Sequence, residues 1–346
     1  MKNRHVHTLI IGAGPGGLAC AKVLADADIQ TLVLERKQTI GPKVCAGGIT
    51  WSGLISRVPK DLAEKAFPEQ YIKTPFQSTC IQEDKPIIAT VNRKNLGQYM
   101  ARLAMNAGAE IQTGVLVRKI SKNSVLIQDK ETGKQKSISF DFLVGADGSS
   151  SLVRRHLGLS STQLGIGINY QIPGVAAKME WHLNNHLFGN GYAWIFPHAK
   201  TISIGAYADR NTMEPAKLKE NLLLWASQQG FILDPHPAKA EYINYDFQGY
   251  HFKDIFLVGD AAGLASGLTG EGIYPAIISG EQVAKTIVNP DHNSTTMDQL
   301  IRNHDKHSRM VRISGKSGLF NSILAELVTL GLRSGMISFD KLEMAI

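Results

Sequence analysis

The sequence predicts an α/β protein: a Rossmann-like domain assembled from distant segments, a second and mostly antiparallel β-sheet domain, and a C-terminal helical tail. Three observations carry this. A buried apolar run, a glycine turn and a helix follow one another around residue 12, strand-like runs crowd residues 163–247, and apolar residues recur at helical spacing near the end of the chain. With 346 residues and 43% apolar composition the chain can bury a full core, and its length suits two domains.

The first element is the stretch HTLIIGAGPGGLACAKVLADADIQTLVLERK. Thr8 to Ile11 read as a buried strand, Leu18 to Ala27 as a helix and Thr31 to Leu34 as a second strand, a βαβ unit. Gly12, Gly14 and Gly17 form G-x-G-x-x-G between the first strand and the helix, with Pro15 inside the turn. The first glycine permits the tight turn, the second lets backbone approach a pyrophosphate, and the third lets helix and strand pack closely. Phosphate then meets a helix N-terminus, where free N–H groups and the dipole favour negative charge. Glu35, followed by Arg36, ends the second strand where a carboxylate holds ribose hydroxyls, which predicts a dinucleotide with a free 2′-hydroxyl, as in FAD or NAD.

Two later segments decide between these. FDFLVGADGSSSLVRRHLG places Asp147 and Gly148 just after a strand, and DIFLVGDAAGLASGLTGEGIYPAIISGEQVAKTI places Gly259 and Asp260 after a strand and before a helix. Both resemble segments of the flavoprotein group that includes aromatic hydroxylases and geranylgeranyl reductases. The resemblance implies FAD, with Asp260 on the ribityl chain and the Gly270-Glu271-Gly272-Ile273 backbone at the isoalloxazine N1–C2=O edge, where a helix start favours the charge of reduced flavin. It also puts Arg93, ahead of the helix in VNRKNLGQYMARLA, at the FAD phosphates and counts Val117 among the cofactor contacts.

Two more stretches point to one branch. GPKVCAGGIT resembles the geranylgeranyl reductase pattern in which a lysine, a cysteine and glycines cross close to the flavin, although Ala46 stands where glycine usually follows Cys45. GYAWIFP resembles that family's Y-x-W-x-F-P signature. The resemblance covers most of the chain up to about residue 290. It implies reduction of C=C bonds in a prenyl chain of a lipid, quinone or related isoprenoid, with Tyr192, Trp194 and Phe196 walling an apolar slot and Cys45 beside the flavin. Tyr192 is then the nearest polar group to a proton path. An FAD-dependent hydroxylase of an aromatic or other apolar molecule is the alternative. Its pattern has histidine and then proline where this chain has Gly263 and, approximately, Gly267. A redox partner with no small-molecule substrate is a third reading.

The expected FAD-binding domain comprises residues 1–74, 92–160 and 250–290, the substrate domain 75–91 and 161–249, and the C-terminal helical segment 291–346. FQSTCIQEDKPIIATV reads as a hairpin; IGINYQI, KMEWHL, YAWIFP, TISIGAYA and EYINYDF read as strands. PAKLKENLLLWASQQG reads as a helix whose Trp225 belongs to the core. No second G-x-G-x-x-G follows a strand, so electrons are expected from transiently docked NAD(P)H or a protein reductant. Cys20, Cys45 and Cys80 lack metal-ligand spacing, and His182, His186 and His198 read as surface residues with no metal.

No apolar run reaches the roughly 20 residues of a bilayer span, and no signal-peptide pattern precedes the first strand, so a cytoplasmic protein, expected as a monomer, is read. The net charge of +7 favours an anionic partner. In the tail, Arg302, Lys306, Arg309, Arg312 and Lys316 precede the apolar LFNSILAELVTLGL, a pattern that suits an anionic membrane at its inner face rather than nucleic acid.

Overall fold

The computed structural model describes residues 4–50, 59–315 and 318–344; Lys316 lies outside them. The strand Arg4–Ile11 is central to the larger sheet, paired in parallel with Thr31–Leu34 on one side and Gln135–Gly145 on the other. Ile255–Leu257 extends the parallel set beyond Gln135–Gly145, and Glu110–Gln112 extends it beyond Thr31–Leu34. Apolar side chains on both faces suit a sheet covered on both sides, and Leu9, Ile10, Leu32, Val33, Leu143 and Val144 are all buried.

The helix Pro15–Asp26 starts with proline at its first turn, where the missing N–H costs nothing. Gly12 turns the chain into it at φ +106°, a left-handed conformation that favours glycine. A Cβ at Gly17 would sit 2.1 Å from the Gly12 carbonyl oxygen, so only glycine lets the helix approach the strand this closely. The helix Ile273–Val288 packs alongside and is buried all round over residues 273–280.

A second sheet of seven strands runs in the order Lys239–Asn244, Leu164–Pro173, Thr201–Asp209, Tyr192–Pro197, Glu180–His182, Glu69–Lys73, Ser78–Gln82. Every pairing in it is antiparallel except that of Glu180–His182 with Glu69–Lys73. The expected hairpin over FQSTCIQEDKPIIATV does not form. Ser78–Gln82 pairs back onto Glu69–Lys73, while Ile88–Val91 joins a separate three-stranded sheet with Gly48–Thr50 and Ala63–Phe67. The reason is burial: all four residues of Ile88–Val91 are covered, whereas Ser78–Gln82 has a largely exposed edge. The seven-stranded sheet therefore reaches back to Glu69, ahead of residue 75.

Along Tyr192–Pro197 the side chains divide strictly by face. Ala193 and Ile195 pack with Phe188, Leu222 and Trp225 beneath the helix Pro215–Gln228, so Trp225 is core. Tyr192, Trp194 and Phe196 face the opposite cluster with Tyr207, Met179 and Trp181. His182 and His198 are buried rather than on the surface: His182 pairs with Glu180, and His198 bridges the Ala46 carbonyl and Glu64. Each of these buried rings finds a hydrogen-bond partner, His198 on both nitrogens, which spacing along the chain does not reveal.

The chain closes with the helices Thr295–Ser314 and Gly318–Arg333 and a short turn of helix at Phe339–Leu342. Among the described residues, no helix is long and apolar enough to cross a membrane.

Candidate functional site

A cavity of about 650 Å³ runs between the two sheets. Gly12, Gly14 and Pro15 line one end, where the first helix begins; Gly17 lies off the wall and acts by letting helix and strand meet. Glu35 borders the same end and is fixed by two backbone donors, Ala13 N–H on Oε2 and Lys37 N–H on Oε1, each at 2.9 Å. Its remaining lone pairs are free for sugar hydroxyls. Arg36, Arg93 and Val117 complete this end. Arg93 opens the helix Arg93–Asn106, which Asn92 caps through the Lys94 and Asn95 N–H groups. The Arg93 Nε is buried without a hydrogen-bond partner, the condition of a donor awaiting an anion.

Farther along the wall come Asp147 and Gly148. The Asp147 carboxylate is occupied structurally: it accepts from the Ser151 hydroxyl and from Leu152 N–H at 2.6 Å, capping the helix Leu152–His156. Burial pushes its pKa up against the pull of these donors. Asp260, next to Gly259, accepts from Lys43 Nζ at 2.9 Å and from the Ser149 hydroxyl at 3.1 Å. The Asp260 carboxylate in turn raises the Lys43 pKa. Gly270, Gly272 and Ile273 border the cavity at the start of Ile273–Val288, a helix with no side-chain cap, so its first N–H groups are offered toward the cavity. These features suit an anionic, hydroxyl-rich dinucleotide with a ring system that gains negative charge on reduction.

The wall opposite belongs to the seven-stranded sheet. Tyr192, Trp194, Phe196 and Trp181 line it, with Trp181 4.8 Å from Phe196 and 5.1 Å from Tyr192 between ring centroids. A buried polar relay ties this wall to the Cys45 segment. Trp194 Nε1–H donates to Ser203 Oγ at 3.0 Å, Ser203 to Asn169 Oδ1 at 2.7 Å, and Asn169 Nδ2 to the Cys45 carbonyl at 3.2 Å. Cys45 and Ala46 line the cavity, and Cys45 Sγ accepts from Gly47 N–H at 3.3 Å. Tyr192, expected nearest to a proton path, donates its hydroxyl to the Thr269 carbonyl, and burial raises its pKa, so the phenol holds its proton firmly.

Sequence reasoning named Glu271 only for its backbone. Its side chain lines the cavity beside this wall, accepting from Met344 N–H at 3.0 Å and from the Thr50 hydroxyl at 3.5 Å. Burial lifts its pKa from 4.5 to about 7. A raised carboxyl pKa means the folded protein binds the proton more tightly, so this contribution to stability is present below pH 4.5 and is lost as pH rises toward 7. Also unforeseen is the last helix as a wall: Leu324, Ala325, Val328 and Leu332 line the cavity, with Phe339 and Leu342 after it. Its signal was an apolar pattern too broad for one helix face.

The paired features define an FAD-dependent oxidoreductase. Residues 5–289 match the family described as FAD binding domain, and the chain belongs to that family. It is 26% identical to the chloroplastic geranylgeranyl diphosphate reductase of Oryza sativa subsp. japonica, over 85% of this chain and 69% of that one. With the digeranylgeranylglycerophospholipid reductase of Methanocaldococcus jannaschii it shares 25% identity over 86% of this chain and 82% of the other. Its fold is that of a geranylgeranyl bacteriochlorophyll reductase-like protein of Thermoplasma acidophilum, with TM-score 0.76, 20% identity and coverage of 98% and 90%. It is also that of p-nitrophenol 4-monooxygenase from Pseudomonas putida, with TM-score 0.72, 13% identity and 98% of each chain.

Proposed function

We propose that the protein reduces carbon–carbon double bonds of a prenyl chain carried by a lipid, a quinone or a related isoprenoid. The observation that carries this reading is the apolar reach of the cavity past the Trp194 wall, through Ile72, Ile88, Leu183, Leu324, Val328 and Leu332. Such a slot accepts a flexible hydrocarbon by burying area, and rigid aromatic faces fix where its double bond lies. FAD, when bound and reduced, supplies the hydride. Arg93, Glu35, Asp260 and the uncapped helix start would hold the cofactor; Cys45, Ala46, Tyr192 and Trp194 would border its ring. An isolated alkene offers no group to polarise, so the chain's task is mainly to position it and keep water out. Reduction of the bound cofactor falls to NAD(P)H or a protein reductant, and one protomer carries the full set of residues.

The hydroxylase pattern fits less well. Gly263 adopts φ +82°, and a Cβ there would lie 2.4 Å from the Asp246 carbonyl oxygen, leaving no room for the histidine of that pattern. At Gly267 a Cβ would lie 2.7 Å from the Tyr245 ring. The test is anaerobic: reduced protein is mixed with prenyl lipids or aromatic acids, and flavin reoxidation is followed together with product mass. Reoxidation by alkenes without oxygen is expected. Product formed only with oxygen from an aromatic acid would replace this reading with the hydroxylase.

Delivery of such a substrate fits a peripheral site on the inner face of an anionic membrane. The outer side of Gly318–Arg333 exposes Phe320, Ile323, Leu327 and Leu330, and Phe76 is 85% exposed in a loop whose Thr74 and Gln77 bond to Glu326 of that helix. Arg302, Lys306, Arg309 and Arg312 are exposed on the preceding helix. Apolar insertion flanked by basic charge is the pattern of an interfacial helix. Salt-sensitive cosedimentation with anionic vesicles is expected to be lost in an Ile323→Glu, Leu327→Glu variant that retains its flavin; equal sedimentation of both proteins would reject the membrane site.

A further inference from the structure

The geometry points to the Glu271 carboxyl as the acid that protonates the substrate alkene, a role that rests on the reductase reading. Among the described residues, six carboxyl side chains line the cavity: Glu35, Asp147, Glu241, Asp260, Glu271 and Glu343. Glu35 is held by two N–H groups at the nucleotide end, Asp147 caps a helix, and Asp260 faces the Lys43 ammonium. Glu271 differs. It stands next to the aromatic wall, its two contacts come from neutral groups, and among the described residues no ion pair involves it. The titratable groups bordering the same part of the cavity are Tyr192, Cys45, Glu343 and the Lys43–Asp260 pair. None of them is a free cation that would hold Glu271 ionised, and burial places its titration at about 7.

The contacts also suit an acid. When protonated, Oε1 carries its proton with the Thr50 hydroxyl 3.5 Å away, while Oε2 keeps accepting the Met344 N–H. The long Thr50 contact leaves that proton weakly held and available. In the reaction one alkene carbon receives hydride from the reduced flavin, and the other takes the proton from the Glu271 carboxyl. Two C–H bonds form, the π bond is lost, the flavin is oxidised, and the carboxylate left behind regains its proton from water. The Tyr192 phenol, spent on a carbonyl and far weaker as an acid, is left with shaping the wall.

Glu271→Gln tests this. Flavin content and prenyl-lipid affinity are expected to stay as in the wild type, while single-turnover anaerobic reoxidation by the lipid slows about a hundredfold or more. The wild-type rate should fall as pH rises through about 7, with the infrared carbonyl band of a protonated carboxylic acid disappearing over the same range; the variant should show neither. Thr50→Val guards against a variant that loses its flavin. Removing a donor to the carboxylate should move the wild-type pH midpoint upward. A Gln variant that reoxidises at the wild-type rate, a wild-type protein without the titrating band, or an unmoved midpoint in Thr50→Val overturns the assignment. Absence of alkene-dependent reoxidation in the wild type overturns the reductase reading and this role with it; reoxidation that survives the Gln substitution overturns the role of Glu271 alone.

Discussion

Replacing Arg154 by methionine is expected to cost about 3–5 kcal/mol of stability, the loss typical of breaking a buried charged network by removing one member. The guanidinium is 1% exposed and serves four carbonyls from three parts of the chain. It donates to Ser160 O at 2.9 and 2.8 Å, to Asp246 O at 2.6 Å, and to Ala261 O and Ala262 O at 3.3 and 3.2 Å. Methionine fills much of the volume but strands these acceptors away from water. The Asp246 carboxylate also lies 4.0 Å from the guanidinium and would lose its counter-charge. Because Ala261 and Ala262 continue directly from Asp260, flavin retention should fall too. Arg154→Lys should recover only part of the loss, since a single ammonium cannot reach acceptors spread around a planar fork. Denaturant unfolding and flavin content after dialysis check both effects; stability within about 1 kcal/mol of wild type would contradict the argument.

Trp194→Ala should lose on two fronts. The ring is 5% exposed and packed among Tyr192, Phe196 and Tyr207, so truncation should cost about 3–5 kcal/mol. It also removes the first donor of the relay that ends on the Cys45 carbonyl, and it widens the cavity where the alkene is to be held. In protein that remains folded, prenyl-dependent reoxidation should drop on the order of a hundredfold, the scale of a misplacement of about 1 Å. Trp194→Phe helps separate the contributions: it keeps an aromatic ring in the wall and removes the N–H to Ser203 together with part of the ring volume. Its reoxidation should stay near wild type while stability falls by about 1 kcal/mol. Equal damage to reoxidation from Phe and Ala would show that the relay, not the wall, governs the reaction.

The nucleotide half of the site was legible because its demands are local. Gly12, Gly17 and Glu35 fall within one βαβ unit, and their spacing carries their geometry. The alternation of Tyr192, Trp194 and Phe196 likewise told that they share a face, but not that wall and core are one layer, with the same rings buried against Tyr207 and bordering the cavity. Arg154 and the side chain of Glu271 could not be read. A charged residue in a polar stretch looks solvated, and only the approach of Asp246, Ala261, Thr50 and Met344 from distant parts of the chain gives these two their environments. The failed hairpin at residues 76–91 has the same origin. Local pattern marked both strands correctly, and partner choice was made by Glu69–Lys73 and Ala63–Phe67, which the pattern passed over.

The central strand Arg4–Ile11 takes one of its two neighbours from Gln135–Gly145, and that neighbour takes its own from Ile255–Leu257. During synthesis, therefore, the glycine turn emerges long before the strands that must flank it, and the first βαβ unit waits with much of its apolar surface uncovered. Closing such long loops is entropically slow, so folding is expected to be late and dominated by non-local pairing. Chains arrested before residue 255 should be aggregation-prone and dependent on chaperones rather than partly functional.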